Sequence, residues 1–231
     1  MSRSIGGARR NSLAVAAVLL LLALGASTLA GQGTHPVSGR RIAGVMGHSG
    51  AAWLDRPERE SEEEPGRAIA ALSLRPGDVV ADLGAGSGYY TVRLARAVGE
   101  TGRVFAVDIQ PEMLAILRSK VEKNRLSNVE LVLGGEDDPR LPPASSDLVL
   151  MVDVYHELAR PQQMLRAIKR ALKPRGRLVL IEFRKEMASV PIREEHKMSV
   201  KDARLELEAE GYRLDRVIDV LPWQHIFVFR P

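Results

Sequence analysis

From Arg75 to the C-terminus, short apolar runs alternate with longer segments whose apolar positions recur every three or four residues. The runs suit buried strands and the periodic segments suit amphipathic helices, so the pattern predicts an α/β domain. Strands are expected at 79–83, 103–108, 129–133, 147–152 and 177–183. Helices are expected near 88–98, 111–124, 161–172 and 199–210, the second opened by Pro111. The run after Asp147 is apolar throughout, which marks a central parallel strand covered on both faces. Strands at 212–220 and 225–230 should close the chain as a hairpin around Leu221-Pro-Trp-Gln224. A helix near Arg67 to Leu74 stops at Pro76-Gly77, just before the first strand.

The N-terminal part follows a different pattern. Arg9-Arg10 is followed by an uncharged run from Leu13 to Ala30, with small residues at Thr28-Leu-Ala30 before Gly31. Residues 1–30 therefore read as a signal peptide or an N-terminal membrane anchor, and both remain open. Basic residues ahead of the run place the domain on the outer side of the membrane, so an exported or membrane-anchored, periplasmic protein is expected. Residues 31–65 divide into a linker to 45, rich in Gly, Ser, His, Pro and Arg, and a polar lead-in around Trp53. The lead-in is expected to lie across the domain formed by 66–231. Of 33 basic residues against 29 acidic, Arg3, Arg9 and Arg10 precede the apolar run, so the rest is close to neutral. Neither the charge nor any basic patch interleaved with aromatics points to nucleic acid. No cysteine is present, which excludes disulfides and thiol chemistry.

The strand Val79-Val-Ala-Asp-Leu83 runs into a turn carrying Gly84, Gly86 and Gly88, and the next strand ends in Asp108. In a βαβ unit such a loop lets a ligand approach the backbone, and the second acid reaches two ribose hydroxyls. A dinucleotide fingerprint needs Gly-x-Gly-x-x-Gly, whereas Tyr89 stands at its third position. Asp82, next to the loop, repels a pyrophosphate and attracts a cation. A nicotinamide oxidoreductase is thereby disfavoured. S-adenosylmethionine, a nucleoside with an ammonium and a sulfonium and no phosphate, fits the charge pattern.

Four segments, Asp82-Leu-Gly-Ala-Gly-Ser-Gly88, Val107-Asp-Ile-Gln-Pro-Glu-Met-Leu114, Asp147-Leu-Val-Leu-Met-Val-Asp153 and Leu172-Lys-Pro-Arg-Gly-Arg-Leu-Val-Leu-Ile-Glu182, occur in order. Together they resemble the successive motifs of class I S-adenosylmethionine-dependent methyltransferases, over about residues 66–231. Gly50-Ala-Ala-Trp-Leu-Asp-Arg-Pro-Glu-Arg59, the stretch from Pro191 to Ser199 and Leu221-Pro-Trp-Gln-His225 resemble a subgroup of bacterial methyltransferases with export-type leaders. The resemblance implies a Rossmann-like sheet of seven strands, the last antiparallel, with helices on both faces. It also implies that Gly84, Gly86 and Gly88 lie against the amino-acid moiety of the cofactor, with Asp82 towards its ammonium. Asp108 would accept from the ribose, Ile109 would pack on adenine, Asp137 or Asp138 would take the adenine amino group, and Asp153 would line the methionine end. Asp138 before Pro139 also suits a turn, and Asp153 a helix cap.

A hydroxyl acceptor needs a base at the carboxyl ends of the strands. His156 is the first candidate, in catalysis or in an orienting role, with Tyr155 beside it and Glu182 as an acid that orients a base or pairs with an arginine. His196, His225 and His48 are also expected near that rim, His196 in a structural rather than a catalytic role, and His35 is not. No His-x-His or His-x-x-x-His spacing occurs, so no metal site is expected. The partner is expected to be a small-molecule or lipid-like methyl acceptor. A non-catalytic module binding a nucleoside or metabolite is the rival, since this methyl donor is made in the cytoplasm. Fractionation of cells expressing the full chain, with N-terminal sequencing, tests the leader. Cleavage before Gly31 or an intact N-terminus in the membrane is expected; an intact chain in the cytosol would refute both.

Overall fold

The expected strands all form in the computed structural model, which describes residues 33–231. The leader expected in residues 1–30 lies outside the described residues. Five parallel strands follow one another: β1 (Val79–Leu83), β2 (Arg103–Asp108), β3 (Val129–Leu133), β4 (Ser146–Val152) and β5 (Leu172–Arg184). After the two-residue β6 (Lys197–Met198) come β7 (Arg213–Ile218) and β8 (Gln224–Arg230). The order is β3-β2-β1-β4-β5-β8-β7, and β8 runs antiparallel to both its neighbours. The expected seven strands are thus joined by an eighth, β6, paired only with the end of β5.

Period-two burial explains how helices cover both faces. Val80, Leu148, Leu150 and Val179 face α3 (Pro65–Ala71) and α4 (Tyr89–Val98). Ala81, Val149, Met151 and Leu180 face α6 (Pro161–Ala171) and α7 (Val200–Glu208). Between them in sequence, α5 (Pro111–Lys123) packs Leu114 and Leu117 on Ala106. Strand order reverses between β1 and β4, which opens a crevice at their carboxyl ends. No helix among the described residues is long and apolar enough to cross a membrane.

Two expectations change. β5 starts at Leu172 rather than 177, because Lys173 to Gly176 bulges along β4 instead of turning away. A Cβ on Gly176 would lie 2.9 Å from the Lys173 and Ser146 carbonyl oxygens, so the bulge requires glycine. The linker reading also fails for residues 34–43. Thr34 and Arg41 form an antiparallel bridge, and His35, Arg40, Ile42 and Ala43 are buried. This strap is fastened by Arg40, whose Nε and Nη2 donate to the fully buried Glu206 of α7 at 3.1 and 3.2 Å. Composition hid this, because a polar segment becomes structural when its charges find a buried partner.

Arg40→Ala leaves the Glu206 carboxylate buried without its cation and should cost about 3–5 kcal/mol in urea unfolding. The Arg40→Met/Glu206→Met pair should recover much of that. A single-variant loss below about 1 kcal/mol, the range of an exposed pair, would show that the strap is not fastened here.

Candidate active site

Local geometry at the end of β1 comes from its glycines. Gly84 and Gly86 have φ of +78° and +53°; a Cβ on the first would strike Val154, and on the second would come within 2.9 Å of Leu54. Both border a cavity of about 750 Å³ at the carboxyl ends of β1, β2, β4 and β5. Gly88 does not. It precedes α4 at φ +83°, and a Cβ there would run into Leu117 of α5, so this glycine serves packing between elements.

Three aspartates stand on the cavity wall. Asp108 is nearly buried and binds the loop directly, accepting from Gly86 N–H at 2.8 Å and Gln110 N–H at 2.9 Å. Burial raises its carboxyl above the usual range, while those amides hold it down. Asp82 accepts from the Thr91 hydroxyl of α4 at 2.5 Å. Its carboxyl is pushed up to about 6 by burial, with the Asp108 charge adding and the Thr91 bond opposing. Asp153 lies in the left-handed region at φ +53° and accepts from Gln224 at 2.8 Å through Oδ2. Burial first, then the charges of Glu63 and Glu182, hold it well above the carboxylate range. Its Oδ1 and the Tyr90 hydroxyl are buried without a partner, and both residues line the cavity. Such orphaned groups on a cavity wall are what a polar ligand satisfies.

The lead-in forms the cover. Two short helices, α1 (Ala51–Leu54) and α2 (Arg59–Glu62), lie over the glycine loop. Asp55 accepts from Ser87 at 2.9 Å and from Lys120 at 2.6 Å, and the Tyr89 hydroxyl donates to Glu60 at 2.7 Å. Glu60 also pairs with Arg93. Beneath them, Arg59 makes a bidentate pair with the buried Glu63 at 2.8 and 2.6 Å and lies 4.2 Å above the Tyr89 ring.

The β4–β5 side carries a second constellation. After β4 a single 3-10 turn, Tyr155–Glu157, brings His156 over the end of β5. The fully buried Glu182 accepts from Tyr155 N–H at 2.8 Å and bonds His156 Nδ1 at 2.5 Å. His156 Nε2 lies 3.0 Å from His196 Nδ1, and the rings meet at 82°. Glu157 Oε1 is 4.0 and 3.9 Å from those two nitrogens. The strap supports the turn from behind, since Ala43 N–H and Arg40 donate to the His156 carbonyl at 3.0 and 3.2 Å. Burial pushes the Glu157 carboxyl up to about 7; burial and His156 lower the His196 imidazole.

The described part of the chain matches relatives over most of this architecture. A family model, "Methyltransferase domain", matches residues 74–221. The chain belongs to that family. It is 35% identical over 156 residues to the ubiquinone/menaquinone biosynthesis C-methyltransferase UbiE of Teredinibacter turnerae, covering 65% of this chain and 62% of that one. The same-named protein of Vibrio campbellii is 35% identical over 118 residues, 51% of this chain and 46% of its own. The chain thus spans about half to three-fifths of these curated relatives. Among solved structures, a SAM-dependent methyltransferase from Aquifex aeolicus superposes with a TM-score of 0.76 at 32% identity, over 80% of this chain and 98% of that one.

This class I methyltransferase takes S-adenosylmethionine as cofactor. The residues present fit it: a cradle that a Cβ would fill at Gly84 and Gly86, and acids whose burial a cation relieves. Asp82, Gly84, Gly86, Asp108, Ile109, Asp153 and His156 share the cavity wall, whereas Gly88 and Tyr155 do not. Tyr155 is wholly buried in the core, its hydroxyl 3.3 Å from His35 Nε2, because consecutive residues of the turn point opposite ways. Asp137 and Asp138 lie outside the lining, beside Arg160 and Arg170 at 3.3 and 3.4 Å; Glu136 stands on the wall instead. His225 is held between Asp219 and Glu186 at 2.7 and 3.0 Å, away from the cavity. His48 also lies outside the lining, and its main-chain N–H donates to the Gln110 side chain at 2.9 Å. Arg59 and the Asp153 partner Gln224 lie inside segments that carried the resemblance, yet neither they nor Glu157 stood out there as site residues.

A carboxyl raised in the fold binds its proton more tightly there than in the unfolded chain. Asp82 therefore destabilises the protein above about pH 6 and has no such effect below about pH 4. Asp82→Asn should raise stability at pH 7.5 by about 2–3 kcal/mol relative to its effect at pH 4, while weakening S-adenosylmethionine. Urea unfolding at both pH values checks the first effect, and titration calorimetry the second. An equal stability change at the two pH values would contradict the assignment.

Proposed function

We propose that this methyltransferase acts on a small, largely apolar acceptor carrying an ionisable hydroxyl, such as a phenol or quinol ring. Support comes from the share of the cavity outside the cofactor acids. Met164, Phe183, Pro191 and Ile192 give it an apolar wall, and His156, His196, Glu157 and Arg193 are the titratable groups set among them. The relatives named as C-methyltransferases of quinone biosynthesis point to the same class of acceptor. The apolar leader read in residues 13–30 supports a site at or beyond a membrane, where an apolar acceptor partitions.

The cofactor supplies a methyl group on a positively charged sulfur leaving group. The chain's own task is to align the acceptor and to remove its proton. With Glu182 accepting at His156 Nδ1, His156 Nε2 accepts from His196 Nδ1–H, and His196 keeps its Nε2 lone pair. Because burial and the neighbouring His156 lower the His196 imidazole, it is neutral near pH 7 and ready to take a proton. His156 and Glu182 then steady the charge. Loss of that proton enriches a phenolic ring at the carbon beside the oxygen, and frees the oxygen itself. The observation that carries the reading is this histidine pair, backed by a buried carboxylate, in one cavity with the cofactor acids.

Asp108→Ala should weaken S-adenosylmethionine at least about tenfold in calorimetry, the loss of one charge-assisted contact. His196→Ala should leave that affinity unchanged while lowering methyl transfer to a panel of phenols and quinols by about 10²–10⁴-fold. Equal cofactor affinity in wild type and Asp108→Ala, or full turnover by His196→Ala, would overturn the respective assignment.

A further inference from the structure

We propose that His156, Glu157 and His196 form a binding site for one divalent transition-metal ion on the cavity wall. The three donor atoms are His156 Nε2, His196 Nδ1 and Glu157 Oε1, separated by 3.0, 4.0 and 3.9 Å. The point equidistant from atoms so spaced lies about 2.1 Å from each, a zinc–nitrogen or zinc–oxygen bond length. The three donor atoms thus already stand at bonding distance from one point.

The surroundings are those of a prepared ligand set. Glu182 bonds the far nitrogen of His156, which directs the Nε2 lone pair towards the other two donors. That carboxylate is fully buried, and the His156 main chain is gripped by Arg40 and Ala43, so the ligand turn is rigid. The imidazoles lie nearly perpendicular rather than stacked, and an ion bound between them displaces the proton that His156 Nε2 and His196 Nδ1 share in the metal-free protein. Two imidazoles and one carboxylate suit zinc, iron(II), cobalt or nickel better than magnesium, which prefers all-oxygen surroundings and keeps its waters. Three protein ligands also leave a coordination position free, the arrangement of catalytic rather than structural zinc.

This site stands on side-chain positions alone and does not require the acceptor proposed above. If that acceptor is right, its oxygen completes the coordination, and the ion loosens its proton by polarisation in place of uptake by imidazole.

Untagged protein, stripped with chelator and dialysed, is to be loaded with Zn²⁺ or Co²⁺ and measured by elemental analysis, calorimetry and the visible absorption of bound cobalt. One ion per chain is expected, with cobalt absorption that His196→Ala and Glu157→Gln each abolish. Glu182→Gln should weaken binding about 10–100-fold, and His225→Ala, away from the cavity, should leave it unchanged. Circular dichroism and S-adenosylmethionine affinity on the same preparations establish that the variants are folded and that the cofactor site is intact. Absence of stoichiometric zinc and cobalt binding in the wild type would overturn the proposal, as would binding that survives both His196→Ala and Glu157→Gln. Neither result bears on methyl transfer, which is read separately.

Discussion

Glu182 holds the working rim together. Near the end of β5, with no solvent to share its charge, this carboxylate receives the Tyr155 amide on one oxygen and the His156 ring on the other. Those two bonds join β5 to the turn that follows β4 and determine how the turn leaves the sheet. Tyr155 is sent into the core and His156 into the cavity. A buried carboxylate left without such donors would be costly, so the turn has little freedom to adopt another path.

The same economy governs the cofactor side. Asp82 and Asp153 are kept where burial disfavours their charge, and Asp153 retains an oxygen with no donor. The fold accepts this strain at the crevice while the sheet around it is almost wholly apolar. A cationic ligand at this wall would return part of that cost, which favours a positively charged nucleoside. Phosphate-bearing nucleotides meet the opposite effect at the same wall.

The sheet was legible because its strands are short, mostly apolar runs bounded by Gly, Pro or charge, and β1, β2 and β3 begin and end where those runs do. β5 was read short because Pro174 and Gly176 look like a turn, whereas they form a bulge and the pairing with β4 resumes beyond it. At the site, Asp82, Asp108 and His156 were legible because each closes or follows a strand at the crevice. Tyr155 and Gly88 were not separable from their neighbours, since period and direction within a tight turn are invisible in a linear pattern. His196 meets His156 across forty residues, and no spacing rule connects donors contributed by two different strand ends. The strap around Arg40 was hidden for a related reason: its partner Glu206 lies far along the chain.

The cover over the glycine loop is held largely by partly exposed ion pairs, Asp55 with Lys120 and Glu60 with Arg93. Its inner support, Arg59 with Glu63, is sealed from water. Dissolved ions shield the outer pairs and hardly reach the inner one. Ionic strength therefore acts on the outer fastening alone, easing exchange of nucleoside through the mouth while the floor beneath keeps its shape.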